Sequence, residues 1–400
     1  MRLVLATLIL LILLAAGEPA AAETPVQGFQ SWVEYTFNEQ ISFRARFTSS
    51  VAVESAVIFF QGANDNTTIV QQTDIITGEA DTYETIYTHL ISDYTLRPFS
   101  QVTYHWEISL VDGQVYTSPP TRFFYDDNRF NWRELGEKPF RVHWSEGDLA
   151  FAQNVLDTTQ NGLSRIQALL PLPAPAHLDI YVYPDARSLQ PALQTGAQEW
   201  VAGHAAPDLG VIVVSLPEGP EQRLLMQQRL PHELMHIMLY QYTRQGYKEL
   251  PTWLNEGLAS LAELYPNPDY PLALQDAAER DSLLPLETLC HPFPRDAYNA
   301  LLAYAESASF TRYLLDTHGA PGLQDVVTAY ANGLDCQSGV EAALGRGLEQ
   351  LERDWRRQAL AEQAPVSALG NLLPWLILLA AILAAPVALL IYRLWQGRMA

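Results

Sequence analysis

The pattern of apolar and polar positions changes near residue 139 and divides the central part of the chain in two. Between residues 24 and 130, apolar residues recur at every second position, as in Ile41 to Phe47 and Val102 to Ile108. This is the period of a half-buried β-strand. Asp112-Gly113 lies between two such stretches and predicts a tight hairpin turn. Several short strands separated by turns predict a β-sandwich over residues 23–130.

After residue 139, short apolar strands alternate with stretches of helical period. Strands are predicted at Phe140–Trp144, His177–Tyr183 and Gly210–Ser215, with a helix between Asp148 and Leu170. Gly210–Ser215 is apolar throughout, which predicts a central or near-central place in a sheet, with an edge strand nearby. The fold class is therefore predicted as α+β, with the β-sandwich followed by a small sheet and helices over residues 139–363.

The N-terminal pattern is typical of a secretory signal peptide over residues 1–22. Arg2 precedes a largely apolar run, Leu3–Ala16, and small residues follow at Ala20-Ala21-Ala22. The run is too short to span a bilayer as a helix. An uncleaved anchor is the alternative that this pattern leaves open.

The C-terminal pattern predicts a transmembrane helix. Leu372–Tyr392 contains no charged residue, and basic residues follow it in a short tail, residues 393–400. Positive charge favours the cytoplasmic side, so both folded domains are expected outside, joined to the helix by a linker at residues 364–371. A buried hairpin of the last domain is the alternative. The prediction is a single-pass membrane protein whose domains are extracellular or periplasmic.

Composition narrows the range of partners. The 400 residues include 24 Lys and Arg against 45 Asp and Glu, for a formal net charge of −21. Nucleic acid is excluded as an expected partner because phosphate binding needs a basic surface. The only two cysteines, Cys290 and Cys336, would lie in an oxidising compartment, but the sequence leaves open whether they are bonded.

The candidate chemistry begins with the segment His232-Glu-Leu-Met-His236. Residues four apart share one face of a helix, so His232 and His236 can bind the same zinc ion. Glu233 is rotated by about 100° and flanks that position, where a general base for a water molecule is needed. Ordinary core or surface histidines are the alternative interpretation.

A third ligand is predicted from the segment Trp253 to Ser260. Glu256 follows His236 by 256 − 236 = 20 residues, which leaves room for a first helix to end between Tyr242 and Gly246 and for a second to return. Two histidines and one carboxylate leave the fourth position of a zinc ion for solvent, as catalytic sites require. One zinc ion per chain is expected. A surface position for Glu256 is the alternative.

These two motifs, H-E-L-M-H and W-L-N-E-G-L-A-S, resemble the gluzincin metallopeptidases, the group of thermolysin and aminopeptidase N, and above all the bacterial peptidase MA-like group. The resemblance covers about residues 139–360. It implies that His232, His236 and Glu256 are zinc ligands, that Glu233 is the catalytic base, and that Tyr304 is the candidate for oxyanion stabilisation. A packed core tyrosine is the alternative for Tyr304. Residues 96–120 resemble, over a short stretch, the second half of a fibronectin type III domain.

Two departures from the family pattern are visible. The G-A-M-E-N motif of the aminopeptidases is absent, so recognition of a free N-terminus is not implied. Thermolysin-like enzymes carry an aspartate four residues after the third ligand, where this chain has Ser260. The groups that orient the ligands must therefore be supplied elsewhere.

The expected function is hydrolysis of peptide bonds in a peptide or protein substrate by a membrane-anchored zinc peptidase. The alternative is a surface binding or adhesion protein whose peptidase domain is catalytically silent. His204 and His318 are interpreted as loop and helix-end residues, although His204 could contact substrate. His291 lies beside Cys290, but a single pair of this kind does not make a metal site. Substrate preference, endo- or exopeptidase activity and oligomeric state stay open.

Overall fold

The structure is a computed structural model that describes residues 24–63, 67–136, 138–193, 203–360 and 375–380. The chain divides into two compact units, Met1–Asn131 and Trp132–Ala400. Each unit has its own sheet. They are described separately below.

The first unit is built from antiparallel strands that form one curled sheet. In chain order the strands are β1 (Val26–Thr36), β2 (Gln40–Ser49), β3 (Val53–Gly62), β4 (Ile69–Thr77), β5 (Thr82–Leu90), β6 (Ser100–Leu110), β7 (Val115–Thr117) and β8 (Thr121–Tyr125). Their spatial order is β1-β2-β5-β4-β3-β6-β7, with β8 also paired to β6. Because β4 pairs with both β5 and β3, the two layers are continuous, whereas a sandwich of two separate sheets was expected.

The alternating pattern marks the core of this unit correctly. Ile41 to Phe47 and Val102 to Ile108 bury every second side chain. The Phe43 ring lies 4.8 Å from Phe60 and 5.2 Å from Tyr104, between centroids, so the two ends of the curled sheet close over aromatic residues. The hairpin at Asp112-Gly113 is also confirmed, since Gly113 has φ +85°.

The second unit combines a mixed sheet with helices. Its strands are β9 (Arg133–Leu135), β10 (Phe140–Trp144), β11 (Leu178–Tyr183), β12 (Gly203–Ala206) and β13 (Val211–Ser215). Its helices are α1 (Leu149–Leu169), α2 (Ala186–Leu189), α3 (Gln222–Thr243), α4 (Thr252–Ala262), α5 (Asp269–Glu279), α6 (Ala297–Ala331), α7 (Cys336–Leu344) and α8 (Leu348–Trp355). Short helical turns lie at Gln190–Ala192, Arg244–Glu249, Thr288–Cys290 and Arg356–Leu360. Helix α6 is broken at Gly319, where φ is +68°.

The strand order in the second unit is β12-β13-β11-β10-β9. Strands β10, β11 and β13 are parallel, and β12 and β9 run antiparallel to their neighbours. The near-central place predicted for Gly210–Ser215 is confirmed, because β13 lies between β11 and β12. Among the described residues, the edge strand beside it is β12, whose residues Gly203-His-Ala-Ala206 carry no strand pattern.

Helix α3 ends at Thr243, inside the range predicted between Tyr242 and Gly246, and it continues through a proline. The helix runs from Gln222 to Thr243 as one element with Pro231 inside it and buried. A proline removes one backbone donor, and the buried apolar side chains on both sides of it stabilise the helix despite that loss.

Helix α4 packs closely against α6, and a glycine makes this possible. A Cβ atom on Gly257 would lie 2.6 Å from the carbonyl oxygen of Ser307 and closer still to the hydroxyl of Thr311. Only glycine permits this approach. The contact brings the helix that carries Glu256 next to the helix that carries Tyr304.

The predicted terminal segments lie largely outside the described residues. This applies to the signal peptide, to the linker at residues 364–371 and to the tail at residues 393–400. Of the predicted transmembrane segment, residues 375–380 are described, and they are helical and exposed. Among the described residues, no helix combines the length and the apolar character needed to cross a bilayer. The signal peptide and the membrane helix stay predictions.

Candidate active site

Helix α3 carries the two histidines on one face. The rings of His232 and His236 are 5.1 Å apart between centroids, as residues one helical turn apart should be. Both side chains are mostly buried, and His236 is 8% exposed. The buried residues of α3 around them, Leu234, Met235, Ile237, Met238 and Leu239, anchor the helix in the core. The core thus sets the direction of both rings.

Helix α4 brings Glu256 to the same point. The Oε2 atom of Glu256 lies 3.3 Å from Nε2 of His232 and 3.8 Å from Nε2 of His236. One ligand atom from each of the three residues lies within 4.8 Å of the others. Two ligands of a tetrahedral zinc ion, each 2.0–2.1 Å away from it, are about 3.3 Å apart. The donor set and its spacing therefore fit a zinc ion.

Two residues that sequence reasoning missed orient the histidines. Nδ1 of His232 lies 3.2 Å from Oε1 of Glu263, and Nδ1 of His236 lies 3.1 Å from Oδ1 of Asn255. An Nδ1–H that donates to oxygen leaves the lone pair on Nε2, on the side of Glu256. Glu263 follows Glu256 by 263 − 256 = 7 residues, or two helical turns. This spacing could have indicated that both carboxylates lie on the same face of the helix.

Glu263 and Asn255 supply the orientation that Ser260 does not. Ser260 is buried, and in the described part of the chain the Nδ1 atoms of the two histidines face Glu263 and Asn255 instead of its hydroxyl. Tyr247, from the turn between α3 and α4, extends the network. Its hydroxyl accepts a hydrogen bond from Nδ2 of Asn255 at 3.1 Å and lies 3.4 Å from Nδ1 of His236.

Glu233 lies against the edge strand β12 rather than among the ligands. A Cβ atom on Gly203 would come within 2.8 Å of Oε1 of Glu233, so the carboxylate lies directly against this strand. The backbone N–H of Ala205 donates to the same carboxylate. Burial raises the pKa of Glu233, and the nearby His232 and His204 oppose this rise. A buried carboxylate with a raised pKa beside the three ligands can accept a proton.

The other ionisable groups of the cluster influence one another. Burial lowers the pKa of His232, but the carboxylates of Glu256 and Glu263 outweigh it and raise that pKa well above its ordinary value. Burial lowers the pKa of His236. Burial raises the pKa of Glu256, but His236 and His232 reverse the effect and leave it below its ordinary value. Glu256 is therefore ionised near neutral pH.

Tyr304 lies beside the cluster. Its ring centroid is 6.4 Å from that of His232 and 5.0 Å from that of Phe293. The charge of Glu256 raises the pKa of Tyr304 well above its ordinary value, and burial adds to the rise. Tyr304 therefore keeps its proton and can act as a hydrogen-bond donor.

The remaining candidate residues fall at different distances from the cluster. His204 lies exposed on β12, where it lowers the pKa of both Glu233 and Glu256. His318 precedes the break of α6 at Gly319. Cys290 and Cys336 form a disulfide bond, which answers the question that the sequence left open.

Residues 158–361 match the family model of the Peptidase MA superfamily. The matched residues include the whole cluster of α3 and α4. The chain belongs to the Peptidase MA superfamily. Membership in the Peptidase MA superfamily supports a peptidase-like function, and this superfamily is generally zinc-dependent. No curated protein matches the chain significantly.

Three solved structures are distantly similar to the chain. An aminopeptidase N family protein from Idiomarina loihiensis is 6% identical, covers 84% of this chain and 71% of its own, and has a TM-score of 0.32. A human third fibronectin III domain is 14% identical, with coverage of 28% and 94% and a TM-score of 0.17. A family 56 carbohydrate-binding module that binds β-1,3-glucan is 16% identical, with coverage of 24% and 96% and a TM-score of 0.16. These scores are too low to support an argument about the fold.

Proposed function

We propose that this member of the Peptidase MA superfamily is a zinc-dependent peptidase of the gluzincin type. The observation that carries the proposal is the convergence of His232, His236 and Glu256, with Glu233 beside them. A structural zinc site would have four protein ligands, whereas three leave one position for solvent. The reaction class is therefore hydrolysis of a peptide bond by water.

The metal would be held by Nε2 of both histidines and by the carboxylate of Glu256. Glu263 and Asn255 would keep the two imidazoles in the tautomer that presents a lone pair to the ion. When bound, zinc supplies Lewis acidity that lowers the pKa of a water molecule and polarises a peptide carbonyl.

Glu233 moves the proton in this proposal. Its carboxylate accepts a proton from the attacking water and then donates it to the leaving amide nitrogen. The contact with Gly203 and the hydrogen bond from Ala205 hold the carboxylate in one position. Tyr304 donates a hydrogen bond to the carbonyl oxygen as negative charge develops there, and such a donor contributes about 3–4 kcal/mol.

The substrate backbone would bind along β12. This strand forms the edge of the sheet among the described residues, and Glu233 lies directly against it. An extended peptide can add to such an edge through main-chain hydrogen bonds. A peptide bound there has its scissile bond close to the carboxylate of Glu233.

We also propose that the enzyme works at the outer face of a membrane. The apolar runs Leu3–Ala16 and Leu372–Tyr392 support this location, and the Cys290–Cys336 disulfide is typical of an oxidising compartment. Protease treatment of cells from which any outer membrane has been removed should digest residues 24–360 and spare an epitope placed after residue 400. Protection of the whole chain would contradict this location.

Substitution of the base tests the enzymatic proposal. Glu233→Gln should bind about one zinc ion per chain, as the wild type does, and should lose about 10²–10⁴-fold in kcat on a mixed peptide library. The measurement is mass-spectrometric detection of products together with metal analysis. Glu221→Gln, at the exposed start of the same helix, is the matched control and should cleave normally.

Two results would contradict the proposal. Cleavage by Glu233→Gln at the wild-type rate would remove the role given to Glu233. Zinc bound to a wild-type chain that cleaves no peptide in the library would favour the silent binding or adhesion protein. The presence of all four residues in one cluster argues for the enzyme.

A further inference from the structure

The segment between α5 and α6, residues 280–296, is attached to its surroundings at several points. We call it the α5–α6 loop. The backbone N–H of Leu284 donates to Oε1 of Glu306 at 2.8 Å, and its carbonyl accepts from Nη2 of Arg356 at 3.2 Å. Leu286 and Leu289 are buried in the core. These attachments fix the first part of the loop.

The later part of the loop is held by the disulfide. Cys290 is bonded to Cys336, at the start of α7, with 6.1 Å between their Cα atoms. Phe293 follows Cys290 by three residues and is partly buried against the core. Along the chain, the disulfide is the last of the points that fix the α5–α6 loop before Phe293.

Phe293 contacts the candidate oxyanion residue. Its ring meets that of Tyr304 edge to face, at an interplanar angle of 86°. Among the described residues, the Tyr304 hydroxyl makes no hydrogen bond, so packing of the ring decides where it points. The disulfide thus fixes Cys290, the backbone connects Cys290 to Phe293, and the ring of Phe293 contacts Tyr304, which lies beside His232.

We propose that Phe293 is a positioning residue for Tyr304 and that the Cys290–Cys336 disulfide holds Phe293 in its place. The proposal rests on the function proposed above for Tyr304. It makes the enzyme sensitive to thiol–disulfide chemistry. A dithiol would be oxidised to its own disulfide, and its two electrons and two protons would convert the bond into the thiols of Cys290 and Cys336.

The first test compares phenylalanine variants in the full chain. Phe293→Ala should lower kcat about 3–10-fold, because an edge-to-face pair makes a modest contribution, with little change in KM and no change in zinc content. Phe293→Tyr keeps the ring and should retain the wild-type kcat. Phe151→Ala, a partly buried residue on α1, is the matched control for a general loss of packing. Equal kcat values for Phe293→Ala and Phe151→Ala would overturn the proposal.

A second test asks whether the disulfide acts through Tyr304. Cys290→Ala combined with Cys336→Ala should lower kcat in the wild-type background. It should have no further effect in a Tyr304→Phe background, since the group that it positions is already missing. The same fold-decrease in kcat in both backgrounds would overturn the proposal and indicate that the disulfide only stabilises the structure.

A third measurement does not depend on activity. With 3-fluorotyrosine at position 304, the fluorine signal of the zinc-loaded chain should shift or broaden after reduction by a phosphine, which does not chelate zinc as dithiols do. Phe293→Ala should produce a similar change. An unchanged signal in both cases would overturn the positioning role. A wild-type chain that cleaves no peptide would overturn the proposed function instead, while the fluorine signal would still report on Phe293.

Discussion

Two of the places where the second unit buries carboxylates differ in their neighbours. In the cluster of α3 and α4, Glu256 and Glu263 face imidazole nitrogens at 3.2–3.8 Å. On α6, Glu306 is fully buried, one of its oxygens accepts from Leu284, and the other has no hydrogen-bond partner in the described chain. Both places contain acidic groups in the core, but only one contains groups that complement them.

The pKa values follow from this difference. Burial raises the pKa of Glu306 to about 8, and the opposing charge of Arg356 only partly offsets the rise. In Glu256 the histidines reverse the same effect. A buried carboxyl group whose neighbours do not offset the cost of burial therefore stays protonated near neutral pH. A buried acid among oriented imidazoles is a candidate metal ligand.

The largest expected difference between the two places is the effect of Glu306 on the free energy of unfolding. The pKa of Glu306 is higher in the folded than in the unfolded chain, so the folded chain holds the proton more tightly. The contribution of this group is complete below about pH 4.5 and is lost as the pH rises through about 8. Between these pH values, this group should cost the wild type about 3–5 kcal/mol in the free energy of unfolding. Glu306→Gln should not show this loss.

Urea denaturation of the wild type and of Glu306→Gln at both pH values measures this effect. Glu349→Gln, at an exposed site on α8, is the matched control and should follow the wild type. Parallel pH profiles of Glu306→Gln and the wild type would show that the buried acid is already ionised, and the contrast between the two places would fail.

The smaller expected effect lies in the metal cluster. Glu263→Gln keeps an acceptor for Nδ1 of His232 but removes the charge, so zinc affinity should fall about 10-fold. Competition with a chromophoric chelator measures the affinity. Glu279→Gln, exposed on α5, should bind zinc as tightly as the wild type. Unchanged affinity of Glu263→Gln would show that Glu263 does not support the ligand.

The parts of the structure that the sequence predicts are those that depend on local spacing. The i, i+4 pair of His232 and His236 needs only a helix, and the alternation around Phe43 needs only a strand. The 20-residue separation of Glu256 from His236 suffices because α3 ends where expected and α4 returns. In each case, the prediction needs only the spacing of residues within a short segment of the chain.

The parts that the sequence did not predict depend on distant pairing. The continuity of the curled sheet requires β4 to pair on both sides, which alternation does not express. The approach of Glu233 to Gly203 on strand β12 joins residues that are 233 − 203 = 30 positions apart. The role of Asn255 depends on the angle between α3 and α4, and the disulfide depends on a distance across the fold.

The most direct test of the central claim is anomalous diffraction at the zinc edge from crystals of the zinc-loaded chain. The account predicts one peak, about 2.0–2.2 Å from Nε2 of His232, Nε2 of His236 and a carboxylate oxygen of Glu256. A peak elsewhere would contradict it. So would a zinc ion bound by the histidines with the Glu256 carboxylate turned away from both rings.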